Sequence, residues 1–590
     1  MKIAYLDGYR FYRVLQVGAQ AIISNQKELD RINVFPVADA DTGINMAMTM
    51  EAVLTGAKVS RNLKSTLRSV ADAALMGARG NSGIILAQYL HGLSAEVPDL
   101  ESVPTHSFAQ SAQNAVKHLY RSLMNPVEGT ILTVIREWSE HLSRGKEQDF
   151  GVLIPESLEQ AKKSLSETPL KLKALADAKV VDAGASGFVI LLEAIVDFIR
   201  RGSIRKLGTA VIAPSSATES HSSAPGEYRY CSEAIFTNNG SDPEYLKSLL
   251  SPLGDSLILA GGAEKLHIHI HSNDPERVFA SLQALGTLSA IKVDDMQRQY
   301  ETSHQRKYPI GIITDSACDL PDELMDRYQI MRIAFGISFG KDFYLDRYTL
   351  QPESFYRKLI TSKHHPVSSQ PSPQSLHSAI DHMVENYDKV FAIHISDHLS
   401  GIYQSASAYS AGRDEDKLQV VNSRQLSVSE GLLVLRVARA IESGLSFSQI
   451  NALLDTWIEN THIYTDINTL KYMVRGGRVP PLAGFLAALL NLKPIVGLDR
   501  EGKAKVTGKS FSRARNMKKI IAMIETNLRD KALWEYAIVH AQAPARAENY
   551  ARILSDITGK APAYIMPLSP VIGVHNGIGT VGIGVIYEPH

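Results

Sequence analysis

The chain of 590 residues contains only two cysteines, Cys231 and Cys318, which lie far apart in the sequence. So few cysteines exclude the disulfide framework of a small secreted domain and favour a reducing compartment, so we expect a cytoplasmic protein. Lysine plus arginine and aspartate plus glutamate both number 62, which gives a formal net charge of zero. Because a neutral chain has no excess of positive charge for polyanions, we expect no nucleic acid partner.

The chain also lacks a hydrophobic run of membrane-spanning length. The longest apolar stretch, Pro480 to Leu490, is about half of a membrane span and opens with two prolines. The first residues, Met1 to Gly8, contain no apolar signal core. We therefore expect no stable membrane insertion, although transient lipid exchange with a membrane is compatible with this composition. The apolar stretch is interpreted as a buried or pocket-lining helix.

Length and hydrophobic periodicity predict several domains. Residues 1–205 are predicted to be mostly helical, since long segments such as 11–32 carry apolar residues at helical spacing. Residues 206–228 are rich in serine, alanine and proline, which predicts a flexible linker. Residues 229–305 alternate short strand-like and helix-like pieces, as in a small α+β domain. Residues 306–590 alternate buried strands with helices, which is typical of an α/β domain.

Two aspartates one residue apart, Asp39 and Asp41, lie in the segment NVFPVADADTGINM, residues 33–46. Carboxylates at this spacing can converge on one hard cation where the chain bends. Magnesium prefers such oxygen ligands and uses them to hold nucleotide phosphates. The alternative is a solvated turn with no ligand.

Two glycine-rich turns, GARGNSG at 77–83 and DAGASG at 182–187, each precede an apolar helix. Backbone N–H groups and a serine hydroxyl at a helix start form a natural phosphate cradle. Taken singly, each turn could equally be a helix cap.

Together and in this order, these segments resemble the ATP-binding domain of the dihydroxyacetone kinase family, and more closely the kinase component of bacterial fatty acid kinase. The blocks that carry the resemblance are the aspartate segment, GARGNSG, PVEGTILTV at 126–134 and VVDAG at 180–184, over about residues 5–200. The resemblance implies an all-α eight-helix barrel that binds ATP and Mg²⁺ at one end. It implies Asp39 and Asp41 as catalytic metal ligands. The nucleotide contacts that it implies are Thr42, Gly43, Asn45, Asn81, Ser82, Gly83, Thr130, Asp182 and Gly184.

The aspartate segment departs from the usual family form at Ala38, Ala40 and Ile44, where proline, glycine and threonine are usual. A glycine at position 40 would permit a positive φ, which alanine resists. The related kinases also use a third aspartate slightly upstream, whereas the nearest polar side chain here is that of Asn33, a neutral ligand.

Three histidines, His267, His269 and His271, alternate strictly and would line one face of a strand. Two imidazoles on one face and a nearby thiolate would make a zinc site. The segment 230–275 resembles the central domain of the same fatty acid kinase component, and this resemblance implies Cys231, His269 and His271 as ligands. We expect a structural rather than a catalytic Zn²⁺ there.

The last 280 residues resemble the DegV family of fatty-acid-binding proteins. Five blocks occur in order: TDSACDLP at 314, SSQPSP at 368, LSGIYQSA at 399, RGGR at 475 and VHNGIG at 574. The resemblance implies a two-lobed α/β domain whose ligand is a fatty acid. Its head group would contact Ser368, Ser400, Gly401, Arg478 and His575, and the stretch 482–490 could form one wall of a tunnel for the acyl chain.

These expectations combine into one reaction, the ATP-dependent phosphorylation of a bound fatty acid carboxylate to an acyl phosphate. Arg478 and His575 would orient the head group as catalytic residues. We expect a homodimer. Two alternatives stay open: a non-catalytic lipid carrier or sensor with a degenerate kinase half, and a kinase for a small hydroxylated ketone of the dihydroxyacetone type.

Overall fold

The computed structural model describes residues 2–35, 41–201, 227–262, 264–413, 416–469, 471–477 and 493–588. The chain divides into two units, Met1–Tyr300 and Glu301–His590. The predictions for Asp39, Arg478, most of the linker 206–228 and the apolar stretch 480–490 fall outside the described residues. No helix in the described part of the chain is both long and apolar enough to cross a bilayer.

The first unit begins with a helical region. Its helices are α1 Gly8–Ser24, α2 Gln26–Arg31, α3 Thr42–Gly56, α4 Leu63–Gly77, α5 Gly80–Glu96, α6 Thr105–Ser122, α7 Ile131–Arg144, α8 Phe150–Ser166, α9 Thr168–Lys171, α10 Lys173–Ala178 and α11 Ala183–Arg201. A two-residue antiparallel ribbon joins β1 Tyr5–Leu6 to β2 Val103–Pro104.

Eight of these described helices, α1, α3, α4, α5, α6, α7, α8 and α11, have 14 or more residues. Each packs on the next in this order, and α11 packs on α1, which closes the ring. Side-chain caps start several of them, as where Asp7 accepts a hydrogen bond from the Arg10 N–H at 2.8 Å. Such a cap stabilises a helix by about 1 kcal/mol. The predicted eight-helix barrel is confirmed.

The segment 11–32, in which apolar residues at helical spacing predicted helix, forms two helices that meet at Asn25. The Asn25 side chain donates to the Ala21 carbonyl at 2.8 Å. This is the local bonding by which asparagine competes with a continuing helix.

A four-stranded antiparallel sheet completes the first unit. Its strands are β3 Tyr230–Asn238, β4 Asp255–Gly261, β5 Lys265–Ser272 and β6 Gly286–Asp295, in the order β4-β5-β3-β6. The helices α12 Pro243–Leu250, α13 Pro275–Gln283 and α14 Met296–His304 accompany it. Side chains on both faces of β5 are buried. Ile258 and Ala260 of β4 belong to the same hydrophobic core as the barrel helices. The predicted domain limits at 205, 228 and 305 stay predictions, since barrel and middle sheet form one unit.

The second unit is α/β, as predicted. Its strands are β7 Ile310–Asp315, β8 Met331–Ile333, β9 Gly336–Phe339, β10 Asp342–Leu345, β11 Val367–Ser369, β12 Lys389–His394, β13 Leu418–Asn422, β14 Thr461–Asp466, β15 Lys493–Leu498, β16 Ala504–Ser510, β17 Leu533–His540, β18 Ile565–Pro567 and β19 Val581–Tyr587. Its helices are α15 Asp322–Arg327, α16 Pro352–Thr361, α17 Pro373–Asn386, α18 Ile402–Ser410, α19 Ser427–Glu442, α20 Phe447–Glu459, α21 Lys471–Arg475, α22 Arg513–Asp530, α23 Pro544–Thr558 and α24 Pro570–Asn576.

Two larger sheets form the two lobes of this unit. One is parallel, in the order β13-β12-β7-β8, and the other is mixed, in the order β16-β15-β14-β19-β17-β18. A third, antiparallel sheet has the order β10-β9-β11. Helix α19 contacts β7 of the first sheet and β14, β17 and β19 of the second. It is buried along nearly its whole length, and the buried residues include the charged Glu430 and Arg436 as well as its apolar side chains.

Candidate functional site

The amino-terminal ends of α5, α7 and α11 lie close together in the barrel. The Asp182 carboxylate accepts from the Ala185 N–H at 2.7 Å, at the start of α11, and from the backbone of Ile131, at the start of α7. A Cβ on Gly184 would lie 2.5 Å from the Ser82 Oγ in α5. Helix amino termini present free N–H groups and a partial positive charge, so this end of the barrel favours an anion.

Helix α3 begins at the same end. Asp41 precedes it, and the Asp30 carboxylate accepts from the N–H groups of Gly43 at 2.6 Å and Ile44 at 3.1 Å. Asn45 of α3 lies against α5, since a Cβ on Gly80 would be 2.4 Å from the Asn45 Nδ2. Asp30 therefore binds the α3 backbone, and Asp41 is placed beside the α5 loop.

The middle sheet closes over this end and forms what we call the polar pocket, of about 40 Å³. The barrel contributes Asn33, Asp41, Thr42, Asn45, Gly80, Asn81 and Ser82, and the sheet with α14 contributes Cys231, Glu233, His269, His271, Lys292, Asp294, Met296 and Gln299. The structure thus brings two predicted sites, the magnesium loop and the Cys/His/His set, to one pocket.

Three potential ligand atoms of Cys231, His269 and His271 lie within 4.8 Å of one another. The Nε2 atoms of the two histidines are 3.2 Å apart, and the Cys231 Sγ is 3.7 Å from the His269 Nδ1. Burial and the neighbouring His269 lower the pKa of His271 to about 3, so its ring is neutral at physiological pH. Burial, followed by the charge of Glu233, raises the pKa of the Cys231 thiol. A neutral imidazole is the form that binds a metal, and metal binding releases the thiol proton.

His267 does not join this cluster. Its Nδ1 is 2.9 Å from the Leu75 carbonyl oxygen at the end of α4. The three alternating histidines therefore share one face of β5, as predicted, but one of them contacts the barrel backbone.

Three charged residues of the pocket were not among the predicted site residues: Glu233, Lys292 and Asp294. Burial alone would raise the pKa of Glu233, but the hydrogen bond with His269 and the charge of Lys292 hold it well below its ordinary value. Burial would lower the pKa of Lys292, whereas Asp294 and Glu233 raise it. Glu233 follows Cys231 by two residues on one strand, so the alternation of side chains was a signal for it.

The other predicted nucleotide contacts do not line the polar pocket. A Cβ on Gly43 would meet the Gln26 carbonyl oxygen at 2.1 Å, and one on Gly83 would meet the Thr49 Oγ1 at 2.5 Å. The Thr130 hydroxyl donates to the Val127 carbonyl at 2.8 Å. Asp182 and Gly184 make the contacts at the helix ends described above, and burial raises the pKa of Asp182 to about 6. A side chain at position 43 or 83 would clash with these atoms, which explains why both positions are glycine.

The second unit contains what we call the apolar cavity, of about 450 Å³. Such a volume lies in the range of small-molecule sites. Its wall is formed by residues of both lobes, among them Phe335, Ile395, Leu426, Ile463, Ile467, Met473, Val496, Leu498, Ala504, Val571 and Ile572.

Polar side chains also line this cavity. Ser368 of β11 and His575 of α24 both line the cavity, and the Ser368 Oγ is 2.9 Å from the His575 Nε2. Ser400 and Gly401 line it at the start of α18, where a Cβ on Gly401 would lie 2.5 Å from the Gln370 Nε2. A Cβ on Gly476 would lie 2.2 Å from the His575 Nδ1. The structure brings together all of the predicted lipid-binding residues that it describes.

Buried carboxylates hold the α24 wall of the cavity. Asp319 accepts from the Ser569 N–H at 2.9 Å and pairs with Arg347. Asp346 accepts from the Val571 N–H at 3.2 Å. Burial, only partly opposed by Arg347, raises the pKa of Asp346 to about 7.

Three family models match the chain. The DAK2 domain matches residues 36–197, the FakA-like middle domain of fatty acid kinase matches 227–303, and the model described as uncharacterised protein, DegV family, matches 309–588.

Two curated relatives match about half of the chain. Protein YloV of Bacillus subtilis is 30% identical over 345 residues, which cover 53% of this chain and 62% of that protein. An uncharacterized protein of Staphylococcus saprophyticus is 31% identical over 325 residues, which cover 52% of this chain and 58% of that protein. The chain thus spans less than two thirds of the length of either relative.

Two solved structures resemble the chain over about half its length. DegV, a fatty acid binding protein from Bacillus subtilis, has 26% identity and a TM-score of 0.44, with 48% of this chain and 100% of that chain covered. A fatty-acid-binding DegV family protein from Thermus thermophilus has 25% identity and a TM-score of 0.44, with 47% and 99% covered. From the family models, the chain joins a DAK2 domain, a FakA-like middle domain and a DegV-family domain in one polypeptide.

Proposed function

We propose that the protein is a fatty acid kinase, which transfers the γ-phosphoryl group of ATP to the carboxylate of a bound fatty acid and forms an acyl phosphate. The observation that carries this proposal is the pair of sites in one chain. A polar pocket lies at helix amino termini of a DAK2 domain, and a 450 Å³ apolar cavity with a serine–histidine pair lies in a DegV-family domain.

In the first unit, Asp41 together with Asp39 would hold Mg²⁺, and the α5 loop with Asn81 and Ser82 would bind phosphate through its N–H groups. Bound Mg²⁺ supplies positive charge against the triphosphate. A pocket of about 40 Å³ suits an ion and a few phosphate atoms rather than a whole nucleotide. Thr42, Gly43, Asn45, Gly83, Thr130, Asp182 and Gly184 would shape and support this loop system.

Cys231, His269 and His271 fit Zn²⁺, since a thiolate and two imidazoles supply three of the four donors of a tetrahedral site. Bound Zn²⁺ would cross-link β3 and β5, which the registers Cys231–His271 and Glu233–His269 already place side by side.

In the second unit, the apolar cavity would enclose the acyl chain. Each buried methylene contributes about 0.8 kcal/mol, so an apolar wall gives most of the binding free energy. Ser368 and His575 would donate to the carboxylate, with Ser400, Gly401 and Arg478 as further head-group contacts. Hydrogen-bond donors in the cavity wall would fix which end of the lipid is presented.

The chemistry requires no general base, because a carboxylic acid is ionised at neutral pH. A carboxylate oxygen attacks the γ-phosphorus, the new O–P bond forms, and the bond from phosphorus to the β–γ bridging oxygen breaks with its electron pair leaving on ADP. His575 and Arg478 would orient the attacking carboxylate. A single chain for both sites raises the effective concentration of one site toward the other.

The test is to incubate the full chain with ATP, Mg²⁺ and palmitate or oleate, and to trap acyl phosphate with hydroxylamine. We expect a fatty acyl hydroxamate that requires all three components. Bound lipid without hydroxamate would contradict the kinase proposal and support the lipid carrier. The departures from the usual family segment at Ala38, Ala40 and Ile44 are the reason to keep this alternative. Phosphorylation of dihydroxyacetone but not of the lipid would support the small-molecule kinase.

A further inference from the structure

Glu233 is the one acidic side chain of the polar pocket that touches both the barrel backbone and the Cys231/His269/His271 cluster among the described residues. It lies on β3, directly across from His269 on β5 and from Lys292 on β6. Cross-strand neighbours project from the same face of a sheet, so all three side chains point toward the barrel. Glu233 is only 1% exposed.

One oxygen of this carboxylate makes both contacts. The Glu233 Oε1 is 3.0 Å from the His269 Nδ1, and it accepts from the Gly80 N–H at 2.8 Å. These partners belong to different parts of the unit, since Gly80 precedes Glu233 by 153 residues. A single atom therefore links the cluster to the first residue of α5.

The two ring nitrogens of His269 face different partners. With Nδ1 3.0 Å from Glu233, His269 presents Nε2 toward the His271 Nε2 at 3.2 Å, so the two histidines would share a metal through these Nε2 atoms. The Cys231 Sγ lies 3.7 Å from the His269 Nδ1. A carboxylate on the far nitrogen of a metal-binding histidine fixes its tautomer and ring orientation and strengthens the ligand. Metal binding at Nε2 in turn makes the Nδ1–H a better donor, so the carboxylate is held more firmly.

The Gly80 end of the link reaches the nucleotide loop. Gly80 has a φ of +56°, and a Cβ there would lie 2.4 Å from the Asn45 Nδ2. The Gly80 backbone therefore lies between the Glu233 carboxylate and the side chain of Asn45 in α3. A carboxylate at a helix amino terminus is also favoured by the helix dipole.

We propose that Glu233 is a positioning residue, which couples metal occupancy of the Cys231/His269/His271 cluster to the order of the α5 amino terminus. With the metal bound, Glu233 holds the Gly80 N–H and leaves the N–H groups of the next residues directed toward the pocket. Only the identity of the ligand at α5, a nucleotide phosphate, rests on the proposed function.

The test measures amide hydrogen exchange of residues 80–83 in the metal-stripped full chain, with and without saturating Zn²⁺. We expect Zn²⁺ to slow exchange there in the wild type, and Glu233→Ala to abolish the slowing. The variant Glu264→Gln, an exposed glutamate of the same domain, is the matched control and should behave as the wild type. Equal slowing in the wild type and in Glu233→Ala, or no slowing in the wild type, would overturn the coupling.

Two further measurements keep the result decisive. If Glu233→Ala does not fold, the isosteric Glu233→Gln replaces it, and at Zn²⁺ saturation its slowing should be clearly smaller than that of the wild type. Its Zn²⁺ affinity, from competition with a chelator, should fall by about 10- to 100-fold. An unchanged affinity together with unchanged slowing would refute the role.

Mg²⁺–ATP binding is titrated separately. Zn²⁺-dependent protection without nucleotide binding would support the Glu233 coupling and refute the proposed kinase.

Discussion

The polar pocket of the first unit and the apolar cavity of the second differ in size and in the chemistry of their walls. The pocket has about 40 Å³ and is lined mainly by polar and charged side chains, whereas the cavity has about 450 Å³ and a wall in which apolar side chains outnumber polar ones. A small polar site gains binding free energy from charge and hydrogen bonds, and a large apolar one gains it from area removed from water. The two regions therefore suit the two ends of the proposed reaction, phosphates and an acyl chain.

Two buried carboxylates, Glu233 in the polar pocket and Asp346 behind the apolar cavity, have pKa values shifted in opposite directions. Glu233 and Asp346 are 1% and 0% exposed, yet the pKa of Glu233 is lowered and that of Asp346 is raised to about 7. Around Glu233, the His269 hydrogen bond and the Lys292 charge outweigh burial, whereas around Asp346 burial outweighs Arg347. Burial alone does not decide the charge of a carboxylate; its partners do.

The largest expected effect is in the polar pocket. Asp41→Asn removes a charge that would hold Mg²⁺ and should reduce acyl phosphate formation by about 10²- to 10³-fold, the usual loss for an electrostatic contact to the transition state. Fatty acid affinity should stay unchanged, because the apolar cavity contains no contact to Asp41. Hydroxamate yield and lipid titration check the two halves separately. The control is Asp72→Asn on the exposed face of α4, and equal loss of lipid binding in Asp41→Asn would contradict the division between the regions.

The apolar cavity should respond to volume rather than to charge. Ala504→Trp on β16 places a large ring in the wall and should weaken binding of long fatty acids by roughly fourfold per methylene group that it excludes. Short fatty acids should lose less affinity, so the dependence on chain length becomes flatter. Val506→Trp on the same strand, at an exposed position outside the cavity, is the matched control. An equal loss in both variants would mean that the cavity does not hold the chain.

A smaller effect is expected at the head group. Ser368→Ala removes a hydroxyl that lies 2.9 Å from the His575 Nε2, and it should weaken palmitate binding by about tenfold. The affinity for methyl palmitate should stay the same, since an ester carries no charge for these donors. Isothermal titration with both ligands checks this. If acid and ester lose affinity equally, Ser368 supports the fold of the wall and does not bind the carboxylate.

Local patterns predicted much of the architecture. The alternation of His267, His269 and His271 placed them on one face of β5, and the alternation of strands and helices over residues 306–590 is that of the α/β second unit. These features depend on residues close in sequence, where periodicity carries the information. The break at Asn25 was missed because helical spacing of apolar residues continues across it, while one side-chain hydrogen bond ends the helix.

Long-range contacts explain the rest. Glu233 and Lys292 meet because β3 pairs with β6, and Glu233 reaches Gly80 because the sheet packs on the barrel. Asp30 binds the start of α3 across 13 residues of chain. Strand register and domain packing cannot be read from a single sequence, so a joint pocket for the metal loop and the Cys/His/His set was not predicted. The family resemblance did predict the metal loop and the Cys/His/His set as two separate sites.

The smallest effect is a pH dependence in the second unit. Because burial raises the pKa of Asp346 from 3.8 to about 7, the folded protein keeps this proton between about pH 4 and 7 while the unfolded chain loses it. The folded state then binds more protons, so its free energy of unfolding falls as pH rises through this window, by at most about 1.4 kcal/mol per pH unit. Asp346→Asn, neutral and isosteric, should match the wild type near pH 4 and melt at a higher temperature at pH 8. Asp388→Asn, at an exposed position, is the control. If the melting temperatures of the wild type and Asp346→Asn shift in parallel from pH 4 to 8, Asp346 ionises as in the unfolded chain, and its partners offset the effect of burial.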